Sequence, residues 1–231
     1  MEKIIIVGDT HGNWSSLNTM IMREKPDIIL HTGDFGWWPK FHNTTAIRDD
    51  VNPRKKWNQY GIKNGDCKIY FCDGNHEDHW DLKKYEKQTE LMPNVFYMPR
   101  GSILTLPDSR NVLFMGGATS IDKNVRTIGI DWFPEEEISQ KNIFNLPECK
   151  VDIVISHTCP TKIRGHHEFS MFKEKESSGD ALDFILEKYH PLLWFFGHFH
   201  FFQVGYIEGV KWRCLNIMGF TRGWIELDPK D

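Results

Sequence analysis

Apolar runs, mostly of β-branched or aromatic residues and each followed by a short polar block, recur along this chain. The runs span 4–7, 28–30, 69–72, 112–115, 151–155 and 192–196. Runs of this length that lead into Gly or Asp indicate buried β-strands. If the strands lie side by side, their carboxyl ends bring the polar blocks into one crevice, which is where open α/β sheets usually bind ligands.

Helical spacing of apolar residues appears between some of the predicted strands. Leu17, Met20 and Ile21 predict an amphipathic helix after the first polar block. The apolar positions between 182 and 189 predict another, which opens near Ser177, and a short helix is predicted over 52–60 with Pro53 in its first turn. Such helices cover sheet faces, so the sequence predicts an α/β fold.

The polar blocks are rich in side chains that bind metal ions. Residues two apart in an extended segment point the same way, so His198 and His200 can share a site, as can Asp9 and His11. Carboxylates, an amide and imidazoles at one sheet edge predict a metal centre. Taken alone, each block has an alternative, since Gly-Asp after a strand is commonly a turn. The candidate ligands are Asp9, His11, Asp34, Asn75, His157, His198 and His200.

The order of the blocks resembles that of the calcineurin-like metallophosphoesterases. The blocks are Gly8-Asp9-Thr10-His11-Gly12, Gly33-Asp34, Gly74-Asn75-His76-Glu77, Ser156-His157 and Gly197-His198-Phe199-His200. The resemblance implies a layered α-β-β-α sandwich of two mixed sheets flanked by helices, with the metal site at the carboxyl ends of the strands. It also implies a single domain over residues 1–231, which agrees with the chain length and the lack of a linker.

The resemblance further implies a role for each block. The first metal ion would be held by Asp9, His11 and His200, and the second by Asn75, His157 and His198. Asp34 would bridge the two ions. His76 would face the substrate as the catalytic residue rather than bind a metal.

Two metal ions suit phosphoester hydrolysis, because a phosphoester anion repels hydroxide. Ions about 3.5–4 Å apart neutralise that charge and supply a metal-bound hydroxide at neutral pH. The mixed ligand set fits Mn, Fe or Zn, and manganese is the first choice. An imidazole titrates near neutral pH, so His76 could protonate the leaving oxygen or stabilise the transition-state charge.

The second block departs from the pattern of protein serine/threonine phosphatases and dinucleoside tetraphosphatases. Both place a phosphate-gripping Arg where this chain has Trp38, and the former place an Asp where it has Trp37. Trp cannot replace the guanidinium fork, which weakens the phosphoprotein phosphatase hypothesis. Trp37 is therefore a candidate for stacking on the substrate. The alternative is that both tryptophans are core or rim aromatics.

Two further segments resemble small stand-alone bacterial and bacteriophage metallophosphoesterases, some of which are nucleotide phosphodiesterases. These segments are Gly116-Gly117-Ala118-Thr119-Ser120-Ile121-Asp122-Lys123 and 129–135. The pattern predicts a strand, a Gly-Gly turn and a charged loop near the site. From this loop Arg126 or Lys123 could bind a phosphate of the substrate. The alternative is that both are solvated loop charges.

The sequence therefore predicts a hydrolase of phosphoester bonds that depends on two metal ions. A phosphodiesterase or phosphatase that acts on small phosphoesters or nucleotides is favoured. The alternatives are a phosphoprotein phosphatase and a non-catalytic metal-binding scaffold on the same fold. Scaffolds of this kind usually lack a ligand or the catalytic His, whereas this chain retains them all.

Composition limits the cellular location and the binding partners that we expect. The net charge of −4 predicts no binding of duplex nucleic acid, and no apolar run approaches a membrane span. Five cysteines form no Cys-x-x-Cys pair, and no secretory signal is visible, so a reducing, cytoplasmic location is expected. The charged runs at 135–137 and 173–176 are predicted to be solvated surface. His166 and His167 are predicted to be surface imidazoles, with a mobile lid as the alternative.

Overall fold

The structure of the protein is a computed structural model that describes residues 2–39, 61–165, 169 and 177–228. The helix predicted over 52–60, the charged run at 173–176, and His166 and His167 lie outside these residues. The single domain over 1–231 stays a prediction.

One sheet contains the first three strands of the chain. Its strand order is β12-β1-β2-β3-β5-β4, and its four central strands are parallel while both edge strands are antiparallel. The members are β1 (Ile4–Val7), β2 (Ile28–His31), β3 (Lys68–Phe71), β4 (Thr89–Met92), β5 (Val95–Tyr97) and β12 (Trp224–Glu226).

A second sheet of the same size has the strand order β10-β11-β9-β8-β7-β6. Its four central strands are again parallel, and both of its edge strands are antiparallel to their neighbours. The predicted mixed sheets are confirmed. The members are β6 (Ser102–Thr105), β7 (Asn111–Met115), β8 (Ile153–Ser156), β9 (Leu193–Phe196), β10 (Gln203–Ile207) and β11 (Val210–Cys214).

Helices cover the outer faces of the two sheets. The predicted helix after the first block is α1, which begins where the Asn13 side chain accepts the N–H of Ser16 and ends at Lys25 in the left-handed region. Two short 3-10 helices span Lys123–Val125 and Pro134–Glu136. The α-helices within the described residues are α1 (Trp14–Glu24), α2 (His79–Leu82), α3 (Gln140–Phe144), α4 (Thr161–Arg164) and α5 (Ser177–Tyr189).

Alternating side chains of the strands build three core layers. In β1, Ile4 and Ile6 face the second sheet, whereas Ile5 and Val7 pack in the cluster that includes α1. In the second sheet the α5 residues pack on the opposite face. This alternation follows from the two-residue period of a strand. The result is the predicted α-β-β-α layering.

The parallel strands determine where the polar blocks meet. β1, β2 and β3 run the same way in one sheet, as do β8 and β9 in the other. Each of these five strands is followed by a polar block, so the blocks gather at the carboxyl ends of the strands. Among the described helices, none has both the length and the apolar character needed to cross a membrane.

Candidate metal centre

The structure brings all seven predicted ligands to one site. One group is formed by His200, Asp9 and His11. The Nε2 atom of His200 lies 3.0 Å from Oδ2 of Asp9 and 2.9 Å from Nε2 of His11. Single ligand atoms of these three residues and of Asp34 all lie within 4.8 Å of one another, which is close enough to surround one metal ion.

A second group of donors lies deeper in the protein. The amide Oδ1 of Asn75 is 3.0 Å from Nε2 of His157 and 3.1 Å from Nδ1 of His198. His157 is fully buried and Asn75 is 4% exposed, whereas the His200 side chain in the first group is 44% exposed. The two groups therefore differ in their access to solvent.

Asp34 lies between the two groups. Its Oδ2 atom is 3.6 Å from Nε2 of His11 and 3.5 Å from Nε2 of His157. A carboxylate at this position would be suited to bridge two ions. The bridge itself stays a prediction.

The ligand loops hold an unusual backbone conformation. His11, Asp34, His198 and His200 have φ angles of 45°, 51°, 67° and 55°. Such left-handed conformations in residues other than Gly cost about 1–3 kcal/mol each and cluster at functional sites. A Cβ atom on Gly197 would collide with Oδ1 of Asp9, which explains the Gly before His198.

The electrostatics of the site favour a bound cation. Burial opposes ionisation of Asp34, but the imidazoles of His157, His76 and His11 hold its pKa well below the usual range. Burial likewise opposes a charge on His157, yet Asp34 and Asp9 raise its pKa to about 10. Burial lowers the pKa of His198 to about 3, so this ring is neutral and can bind a metal through a lone pair.

The donor set fits divalent transition-metal ions. Two carboxylates, one amide oxygen and four imidazoles converge, which is the mixture that suits Mn, Fe or Zn. Residues 2–202 match the calcineurin-like phosphoesterase family. The chain belongs to that family. This calcineurin-like phosphoesterase thus has a site suited to metal ions.

Two known proteins show how far the likeness extends. The lariat debranching enzyme of Schizosaccharomyces pombe (strain 972 / ATCC 24843) is 23% identical over 224 residues, which cover 86% of this chain and 48% of that enzyme. The chain thus spans about half the length of this curated relative. The crystal structure of TT1561 of Thermus thermophilus has a TM-score of 0.54 at 12% identity, covering 94% of this chain and 90% of that one, and shows the shared fold.

His76 of the phosphoesterase lies at the edge of the metal centre. Its backbone N–H donates to Oδ1 of Asp34 at 2.7 Å, and its ring centre is 5.0 Å from that of His11. The two terminal nitrogens of Arg126 each lie 3.2 Å from one ring nitrogen of His76. Nε of Arg126 pairs with Asp122 at 2.8 Å, so the solvated-charge alternative does not hold for Arg126.

Trp37 and Trp38 are both buried, with exposed fractions of 7% and 2%. The indole N–H of Trp38 donates to the carbonyl of His76 at 2.9 Å, so this ring supports the backbone of the catalytic candidate. The indole N–H of Trp37 donates to Oδ2 of Asp81 at 2.8 Å, and the ring packs in a core cluster. These positions favour the core alternative, and a substrate contact by Trp37 stays a prediction.

The prediction that 135–137 is solvated surface is wrong for Glu136. This residue is fully buried, and its two carboxylate oxygens accept the backbone N–H of Ser120 at 2.6 Å and the Ser120 hydroxyl at 2.8 Å. Glu135 and Glu137 do pair with lysines at the surface. Three like charges in a row gave no sign that the middle one turns inward.

Two other supporting carboxylates also escaped the sequence analysis. Glu77 accepts the N–H of Gly74 at 2.6 Å and of Gly36 at 3.0 Å, and thus joins two ligand loops. Asp73 lies two residues after the end of β3 and is buried against Arg100, whose Nη2 atom lies 2.6 Å from its Oδ2. The Gly74-Asn75-His76-Glu77 block could have pointed to Glu77, whereas nothing local pointed to the partner of Asp73.

Proposed function

We propose that this phosphoesterase uses two divalent metal ions, manganese by first choice, to hydrolyse a small phosphoester or a nucleotide. The observation that carries the proposal is the position of Asp34 between two separate groups of donors. Asp9, His11 and His200 would hold one ion, and Asn75, His157 and His198 the other. When bound, the ions neutralise the phosphoryl oxygens and acidify a water molecule.

His76 is suited to act on the leaving group. It contributes no ligand atom to either donor group but lies next to Asn75 and close to His11. An imidazole at this point would be suited to protonate an ester oxygen that departs from the centre. The Trp38 indole and the Asp34 carboxylate hold the His76 backbone on both sides, which fixes the position of the ring.

Arg126 supports the binding of a phosphate at the same place. Its guanidinium lies against His76, and the side chain is only 12% exposed. A substrate phosphate that enters the centre would meet this cation, which supplies from the loop the charge that other subfamilies supply from the position of Trp38. A phosphate oxygen would then displace one of the contacts between Arg126 and His76.

The surroundings of Arg126 favour a substrate with an organic group. Ile121, Val125, Ile128 and Ile130 on the same loop are all more than half exposed. Exposed apolar side chains beside a polar site are typical of ligand-binding surfaces. A nucleotide or another small ester meets both features. The alternative of a phosphoprotein phosphatase would need a different cation to grip the phosphoserine or phosphothreonine.

A reducing, cytoplasmic location belongs to the same proposal. None of the five cysteines, all of which lie in the described part of the chain, forms a disulfide, and Cys67, Cys72, Cys159 and Cys214 are buried. Thiols of this number without a disulfide suit a compartment that keeps cysteines reduced.

The proposal is tested by adding metal back to chelated protein. Bis-p-nitrophenyl phosphate, p-nitrophenyl phosphate, cyclic nucleotides and a phosphopeptide are offered with Mn, Fe or Zn, and bound metal is measured in parallel. We expect two ions per chain and hydrolysis of small esters or nucleotides. Two bound ions without hydrolysis of any substrate would favour the scaffold alternative, and hydrolysis confined to the phosphopeptide would favour the phosphatase.

The role of His76 is tested by His76→Ala. The variant should keep both metal ions and lose about 10²–10⁴-fold in kcat, because general acid catalysis contributes about that much. The loss should be larger for alkyl esters, whose leaving oxygens are basic, than for p-nitrophenyl esters. Equal losses along a leaving-group series would exclude the acid role, and loss of metal would mean that His76 supports the ligands instead.

A further inference from the structure

The Asn75 amide has two different ends, and the structure gives each a different partner. Its oxygen Oδ1 faces His157 and His198 in the deeper donor group. Its nitrogen Nδ2 donates to the hydroxyl of Ser120 at 3.0 Å. Only the oxygen can bind a metal ion, because the amide nitrogen has no available lone pair. The orientation of this amide therefore decides whether the deeper group is complete.

The partner of Ser120 fixes that orientation. Both oxygens of Glu136 are engaged by Ser120, one by its backbone N–H at 2.6 Å and the other by its hydroxyl at 2.8 Å. Burial raises the pKa of Glu136, whereas the two hydrogen bonds from Ser120 favour the ionised carboxylate, which accepts hydrogen bonds and donates none. The hydroxyl proton therefore points to Glu136. The hydroxyl oxygen then accepts a hydrogen bond from Asn75, and only the NH₂ end of the amide can donate it.

All three members are buried, so water does not compete with this chain of hydrogen bonds. The exposed fractions are 4% for Asn75, 2% for Ser120 and 0% for Glu136. The segment that carries Glu136 is itself held firmly, since the Glu136 carbonyl accepts the N–H of Ala118 at 3.1 Å and Nη2 of Arg100 at 2.9 Å. The carboxylate is therefore a fixed reference point for the amide.

We propose that Glu136 and Ser120 are positioning residues that keep the Asn75 oxygen turned toward the deeper metal site. This orientation relay, defined as Asn75, Ser120 and Glu136, rests on the two-metal function proposed above. Residues that orient metal ligands from behind typically change metal affinity by about 10–100-fold when they are replaced. Neither residue is one of the seven candidate ligands, and both act through Asn75.

The relay makes an unusual prediction about two variants. Ser120→Ala removes the partner of the NH₂ end, so that only the contacts of Oδ1 with His157 and His198 still orient the amide. Glu136→Gln keeps the shape but replaces one acceptor by an NH₂ group. The Ser120 N–H can only donate, so it keeps the Gln oxygen and the NH₂ group faces the Ser120 hydroxyl. The hydroxyl must then donate elsewhere, and the Asn75 oxygen becomes its acceptor. Glu136→Gln should therefore reverse the amide and weaken metal binding more than the truncation does.

The experiment is a Mn²⁺ titration of chelated protein by isothermal titration calorimetry, with urea unfolding in parallel. We expect one of the two Mn²⁺ affinities to fall by about 10-fold in Ser120→Ala and by about 100-fold in Glu136→Gln, while the other stays near wild type. Ser178→Ala is the matched control. Ser178 is also a buried serine, and its hydroxyl accepts the N–H of Ile138 without approaching a ligand. That variant should lose stability and keep both affinities.

A double variant separates orientation from packing. In an Asn75→Asp background the ligand offers oxygen at both ends, so the further change Ser120→Ala should have little effect on the Mn²⁺ affinity that remains. A wild-type affinity pattern in both Ser120→Ala and Glu136→Gln would overturn the relay and leave the two-metal function standing. A wild-type protein that binds fewer than two ions would overturn that function, and the relay with it.

Discussion

Two sets of buried carboxylates follow the strands of the first sheet, and they have opposite partners. Asp9 and Asp34 are surrounded by imidazoles, with His200 at 3.0 Å from the first and His157 at 3.5 Å from the second. Asp73, which follows β3, instead accepts two hydrogen bonds from Arg100, at 3.0 and 2.6 Å. All three carboxylates are at most 1% exposed.

The difference separates a metal centre from a structural anchor. A guanidinium is permanently charged, so Arg100 neutralises Asp73 within the protein and leaves no need for another cation. Imidazoles can lose their protons and offer lone pairs, so the surroundings of Asp9 and Asp34 can exchange protons for a metal ion. A carboxylate at a strand end is therefore ambiguous until its partner is known.

The largest expected effect comes from replacing one carboxylate of each set. Asp34→Asn should lose both metal ions, and kcat should fall by about 10³-fold or more, because the bridging charge supports both ions. Asp73→Asn should keep two ions and a kcat near that of the wild type. Metal analysis and steady-state kinetics on both variants make the measurement. An Asp34→Asn variant that kept both ions would show that the bridging role is wrong.

A large effect on stability is expected from Arg100→Met. This change leaves a buried carboxylate without its counter-charge, which typically costs about 3–5 kcal/mol in the free energy of unfolding. Arg110→Met is the control, because Arg110 pairs with the partly exposed Asp108 and such pairs contribute about 0–1 kcal/mol. Urea unfolding at neutral pH measures both. Equal losses of unfolding free energy in Arg100→Met and Arg110→Met would show that the buried pair contributes no more to stability than the partly exposed pair.

The pH dependence of the Arg100→Met effect has a defined sign. In the wild type, burial would raise the pKa of Asp73, but Arg100 holds it below the usual value. The stabilisation by the pair is therefore complete above the unfolded pKa of about 3.9 and is lost as pH falls through the lower folded value. In the variant, burial raises this pKa, and only the weaker influence of His79 and Tyr97 opposes the rise. The difference between the two proteins should be largest at neutral pH and should shrink below about pH 4.

The smallest effect is expected from metal removal. Manganese at about 100 times its dissociation constant should stabilise the wild type by about 2.7 kcal/mol, and EDTA should remove this gain. Asp73→Asn should show the same gain, measured from its lower baseline, whereas Asp34→Asn should show none. Thermal unfolding with Mn²⁺ and with EDTA measures these shifts. Stabilisation of Asp34→Asn by manganese would place the ions elsewhere.

The strand pattern was enough to predict much of the fold and the convergence of the candidate ligands. The run 4–7 is β1, and the blocks after β1, β2, β3, β8 and β9 do converge. Polar blocks at the ends of parallel strands must share an edge, so this part of the site is encoded locally. The strained backbone at His11 and Asp34 was not visible, because it is imposed by the neighbouring loops.

The supporting residues could not be predicted in the same way. Arg100 is 27 residues from Asp73, and Glu136 is 16 residues from Ser120. No spacing rule links such pairs, since their contact depends on how two loops cross after the sheets have packed. The charge run at 135–137 even pointed the wrong way for Glu136. Long-range pairing, rather than local pattern, thus decides which buried carboxylates remain for metal ions.

The unequal exposure of the two donor groups has a consequence for the timing of metal uptake. An ion that arrives from solvent meets the exposed His200 before it can reach the fully buried His157. An ion bound near His157 must leave past the outer donors, so we expect the outer position to exchange first. Two different ions could then be installed in one centre by the order in which they are supplied, so the history of the protein, as well as the chemistry of its ligands, would determine the composition of the loaded centre.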